Sequence, residues 1–148
     1  MEKEYFIQAK KHLRQSAVTF SFFVLATAFV MLLDIRGVTL ITLSLAVFRR
    51  RAGFDEFKKS FESDRKIYTE LTVLEWQYYA NAARNTFVIM SAFFVFSILW
   101  NACGGEIKGV VCFVYFAMVI CFFFFWRNYR KKAITAQESD ELREDTTD

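Results

Sequence analysis

The chain has no proline, five glycines, three cysteines and a single histidine. Each scarcity removes a class of function. His12 stands among Lys10, Lys11 and Arg14, the setting of a surface residue rather than a metal ligand. Cys103, Cys112 and Cys121 form no Cys-x-x-Cys pair and no Cys/His cluster, so neither a zinc site nor a disulfide framework is expected. There is no phosphate-cradling glycine loop and no serine elbow, and Gly104-Gly105 reads as a turn. The interiors of the hydrophobic stretches lack Asp, Glu, Lys, Arg and His, the groups a transporter or proton pump places inside the bilayer. A net charge of +3 is too slight to suggest nucleic acid. The expectation is a non-enzymatic protein with no catalytic residue, cofactor, metal or small-molecule substrate.

What the chain does have is apolar length. Hydrophobic residues fill 55% of its 148 positions, and phenylalanine alone accounts for 19. They segregate into four runs, Ala17 to Leu33, Val38 to Phe48, Phe87 to Trp100 and Val110 to Trp126, as in a membrane protein. At this length the chain is one compact unit without room for a second domain. The first run follows a basic stretch, as a signal peptide would. It lacks a small-x-small cleavage site and a second run follows at once, so we expect it to be retained.

A crossing helix needs about 20 apolar residues at about 1.5 Å each. Arg14 to Asp34 covers roughly 30 Å, enough to cross. The third run extends from Trp76 to Trp100 with a Trp at each interface, and Trp126 and Arg127 anchor the fourth at the headgroups. The second run is short: Arg36 to Arg49 covers roughly 20 Å. It crosses a thinned bilayer, crosses within a complex, or stops short as part of a wedge. Crossing is the preferred reading.

The charges give the topology. If the chain crosses four times, the far-side turns, Asp34 to Gly37 and Asn101 to Gly109, hold Arg36 and Lys108, two of the 19 basic residues. The remainder fall before, between and after the hairpins. Basic residues accumulate on the cytoplasmic side, so both termini and the middle segment are expected there, in an integral membrane protein of the bacterial inner membrane. The turn residues Asp34, Arg36, Glu106 and Lys108 read as interfacial pairs within each turn or, more sharply, as a ring of charge at a pore mouth. The turns also echo one another: Asp34-Ile35-Arg36-Gly37-Val38 returns as Glu106-Ile107-Lys108-Gly109-Val110. A duplicated hairpin and an independent need for glycine turns both account for this.

Between the hairpins, Phe54, Phe57, Phe61, Tyr68 and Leu71 recur at heptad spacing, with Asp64 an exception on the seam. Asp55–Lys59 and Glu62–Lys66 are acid-first i,i+4 pairs on the opposite face. No glycine or proline follows Gly53 until Gly104. One amphipathic helix is therefore predicted from Phe54, continuous with the third crossing. Its seam must be covered by a neighbouring subunit, by the N-terminal lead-in, or by the membrane surface; contact with protein is preferred. Arg49, Arg50 and Arg51 just before it read as a stop-transfer anchor or an anionic-lipid contact. From Glu138 onward the chain is acidic, a solvated tail or a docking element for a basic partner.

The sequence thus predicts an all-α membrane protein of four hydrophobic helices in two hairpins: a lead-in and first hairpin (1–53), an amphipathic cytoplasmic helix (54–85), a second hairpin (86–132) and an acidic tail (133–148). Its expected partners are membrane lipid and copies of itself or other membrane proteins. Three functions fit: a subunit of a larger secretion, conjugation or transport assembly, a homo-oligomeric pore gated by the cytoplasmic helix, and a curvature-inducing hairpin wedge.

Overall fold

The computed structural model describes residues 3–34, 39, 42 and 52–146. Four helices make up the described fold, with no strand among the described residues: α1 (Glu4–Leu33), α2 (Ala52–Lys59), α3 (Arg65–Ala102) and α4 (Gly109–Asp145). Three of them, α1, α3 and α4, are long and apolar enough to cross a membrane. Apart from Thr39 and Thr42, the second apolar run, Val38 to Phe48, lies outside the described residues, as do Arg36, Arg49, Arg50 and Arg51. Four of the five positions of the first turn echo lie there too.

α3 and α4 form one antiparallel hairpin, each arm about 55 Å long. Aromatic rungs hold the arms in register. Tyr129 meets Trp76 and Tyr79 at centroid distances of 5.7 and 5.4 Å, and Phe123 meets Phe87 at 5.8 Å. Phe116 meets Phe94 at 5.5 Å. The hairpin closes on a Schellman turn: Gly105 N–H donates to the Trp100 carbonyl and Gly104 N–H to that of Asn101. Gly104 has φ +90°, which only glycine adopts without strain. At Gly105 the constraint is space, because an added Cβ would collide with the Trp100 indole ring.

α1 lies against this hairpin, parallel to α3. Tyr5 meets Glu70 at one end, and Phe29 meets Phe93 toward the other. Against α4 the order reverses, with Phe20 on Phe122 and Ala28 on Tyr115. The buried positions of α1 are Ala9, Leu13, Phe20, Val24, Thr27, Ala28 and Met31, one stripe at helical spacing. Its upper half joins Met90, Val111, Tyr115 and Phe122 in a three-helix core. Its lower half, Ala9 and Leu13, joins Phe54, Leu71 and Leu74 in a second cluster that builds a head at the opposite end from the Gly104 turn.

Two expectations need correction. The helix from Phe54 does not run unbroken into the third crossing. It stops at Lys59, turns through Ser60–Ser63 and restarts at Arg65. The cause is visible in the hydrogen bonds. Phe61 and Glu62 N–H groups donate to Lys58 and Lys59, three residues back rather than four, and the Ser60 hydroxyl takes the Phe57 carbonyl. Asp64, the odd residue on the seam, is the N-cap of α3; its carboxylate accepts from Ile67 N–H at 3.4 Å. From Arg65 the helix does continue into the apolar segment. The acidic tail, expected to be solvated or frayed, instead continues α4 as helix to Asp145 and reaches back to Lys66 through Glu144 at 3.1 Å.

Candidate functional site

The residues singled out by sequence come together in part. Phe54 and Leu71 are fully buried and Phe57 and Phe61 half-buried, while Tyr68 is 38% exposed. Their partner is the N-terminal lead-in. Tyr5 and Phe6 pack on the same cluster, with Tyr5 5.7 Å from Phe61 and His12 5.8 Å from Phe57. The seam is therefore covered within the chain. The turn at Ser60–Ser63 makes this possible: it folds the Phe54–Phe61 part back so that both halves of the seam face α1.

Charge then locks the head. Lys58 reaches from α2 to Glu75 on α3 at 2.9 Å, and both side chains are largely buried. Tyr79 donates to the other Glu75 oxygen at 3.3 Å, and the Lys58 ammonium lies 4.7 Å from the centre of the Tyr68 ring. Tyr68, the seam residue that faces outward, thus serves as a cover for Lys58. Tyr5 donates to the Glu70 carboxylate at 2.6 Å. Desolvation, and then this carboxylate, raise the Tyr5 pKa above its usual 10.0, against the smaller opposing effect of Lys3.

The headgroup candidates sit where α3 and α4 leave their apolar segments. Trp76 stacks on Tyr129 and carries the Lys132 ammonium 4.6 Å above its ring. Trp126 stacks on Phe87 at 6.1 Å, and Arg127 is exposed. At the other end Asp34 ends α1 in an extended conformation and is exposed. Lys108 is the N-cap of α4, and Glu106 and Lys108 are both exposed with no ion pair between them among the described residues.

Three contacts tie the fold together, and two of them, at Asn101 and at Lys58–Glu75, escaped the sequence reading. Asn101 clamps the α3–α4 turn, accepting from Ile107 N–H at 2.7 Å and donating to the Ile107 carbonyl at 3.1 Å. Its signal was faint, a polar amide just before Gly104-Gly105. The buried Tyr115 hydroxyl donates to the Ala28 carbonyl at 2.6 Å, a hydrogen bond between helices inside the apolar layer. Lys58–Glu75 pairs residues 17 apart, beyond any helical repeat. The hydroxyls of Thr27, Thr86 and Ser97 are buried and return to carbonyls of their own helices.

Within their apolar segments the long helices also present large apolar side chains outward. Phe22, Phe29, Val88, Phe96, Phe113 and Phe124 are all exposed, between 46% and 69%. In comparisons with known families, curated proteins and solved structures, the chain matches none.

Proposed function

We propose that the chain is a non-enzymatic, four-crossing subunit of a larger membrane assembly, of the secretion, conjugation or transport type, with its head and both termini in the cytoplasm. The observation that carries the topology is the parallel direction of α1 and α3. Two parallel crossings in one chain require a return crossing between them, and Val38 to Phe48 is the apolar stretch available. The head end carries most of the basic residues, which favours the cytoplasmic side of a bacterial inner membrane.

The assembly role is supported by where polarity is spent. Buried hydroxyls of the described crossings turn inward and are satisfied, and the outward faces are aromatic and aliphatic. Such faces suit lipid or partner helices and offer no polar wall for a pore. The heptad seam is occupied by α1, so contact with partners falls to the membrane-level faces or to the acidic end of α4.

The test is isolation from membranes in mild detergent, with mass and partner identity measured. A fixed stoichiometry with other membrane proteins is expected. A symmetric homo-oligomer that conducts ions in planar bilayers overturns the proposal in favour of a pore. Arg36→Cys protected from reagent on both sides of the membrane indicates a wedge.

A further inference from the structure

Where α3 and α4 leave the apolar layer, a groove of about 470 Å³ lies between them. Its α3 wall is Gln77, Ala80, Asn81 and Arg84, spaced i, i+3, i+4, i+7 on one stripe. Its α4 wall includes Trp126, Arg130, Ala133 and Gln137, again one stripe. Ala80 and Ala133 are each 7% exposed and form the floor. Small floor residues keep the groove open; a larger side chain at either position would fill it.

The chemistry of the lining is one-sided. Arg84 and Arg130 enter from different helices, both are exposed, and neither makes an ion pair among the described residues. No carboxylate lines the groove, since Glu138 belongs to the neighbouring depression across the Trp126–Arg130 ridge. Arg127 and Lys131 line that neighbouring depression with Glu138, outside the groove itself. Gln77 and Asn81 lie on the head side of Arg84 along about 10 Å of α3, and Gln137 lies on the head side of Arg130 on α4. The Trp126 ring, packed on Phe87 and Phe123, marks the boundary with the apolar layer.

We propose that this groove holds the headgroup of one anionic phospholipid. Arg84 and Arg130 take the phosphate diester from two sides, the geometry for which guanidinium groups are suited. Asn81, Gln77 and Gln137 supply amides to headgroup oxygens, and Trp126 borders the glycerol–acyl junction. The occupant is a lipid rather than a soluble anion because the cationic pair lies beside the end of the apolar layer, where acyl chains continue down the exposed face of the hairpin. The site rests on the membrane reading of the chain, and the test separates the two.

The full chain, purified in mild detergent, is titrated with dioleoyl phosphatidylglycerol and with dioleoyl phosphatidylcholine, and bound lipid is counted by native mass spectrometry. One phosphatidylglycerol is expected to bind in preference to phosphatidylcholine. Arg84→Gln/Arg130→Gln is expected to weaken it about thirty-fold, from about five-fold per basic group near the lipid surface. Arg65→Gln/Arg143→Gln removes the same charge elsewhere and is expected to change binding less than about two-fold. Ala80→Leu fills the floor with all charges kept; helicity equal to that of the parent, with binding lost, supports a shaped site. Equal affinity for both lipids, equal loss in the two double variants, or competition by inorganic phosphate at millimolar concentration overturns the proposal. A chain that does not partition into membranes at all contradicts the membrane reading instead.

Discussion

At the scale of single residues, the fold depends on a few positions where chemistry and space leave no alternative. Gly104 and Gly105 are adjacent yet constrained differently, one by its positive φ and the other by the Trp100 ring. Gly105→Ala is expected to cost about 1–3 kcal/mol, because the indole must move. Gly109→Ala, where nothing lies within 4 Å of the added carbon, is expected to be neutral; thermal unfolding in detergent compares the two. Tyr115→Phe removes the bond to Ala28 and is expected to cost about 1 kcal/mol in the same assay. Tyr5 gives the head a pH dependence. Its folded pKa is raised, so its contribution is fully present below pH 10 and is lost as pH climbs through the higher folded value. Alkaline titration by near-ultraviolet circular dichroism is expected to show this loss, and Tyr5→Phe to remove it. The glycine turn was legible in sequence because glycine signals conformation directly. Asn101 was not, because its role depends on which backbone groups the turn brings within reach.

At the scale of elements, the head is held by the docking of α2 onto α1 and α3. Phe54 is 1% exposed at its centre, and Phe54→Ala is expected to cost about 3–4 kcal/mol. Amide exchange would then rise across α2 and the first turns of α1 and α3 while the Tyr115 layer stays protected. Lys58 and Glu75 are expected to behave as a coupled pair. Glu75→Gln and Lys58→Met are each expected to destabilise by about 2 kcal/mol, and the double change by clearly less than their sum. Phe54 and Leu71 of the seam are buried while Tyr68 faces outward, and Asp64 was the signal that the segment is two helices. A carboxylate on an apolar seam is out of place mid-helix and well placed as a cap. The partner of the seam could not be read, because periodicity records that a face is buried and not what buries it. Ala9 and Leu13 lie more than 40 residues away in sequence. The acidic end of α4 was not legible as helix for a related reason: from Glu138 onward Leu142 is its one apolar residue, so it gives no periodic signal, yet it extends a helix already formed and ends beside Lys66.

At the scale of the whole molecule, the long apolar runs were the clearest message, and three of them are helices suited to a bilayer. Their order in space adds what composition could not. α1 and α3 point the same way and α4 returns, with the lead-in, α2 and the acidic end of α4 gathered at one end and the Gly104 turn at the other. On the proposed topology, residues near the two termini share a side of the membrane and the α3–α4 turn faces the opposite side. Single cysteines at Lys11 and Glu141, and the native Cys103, test it in a background with Cys112 and Cys121 replaced by alanine. Labelling with a membrane-impermeant maleimide in intact cells is expected to reach Cys103 at once. Lys11→Cys and Glu141→Cys, each with Cys103 also replaced, are expected to label only after permeabilisation. Labelling of Lys11→Cys and Glu141→Cys from opposite sides would contradict the account.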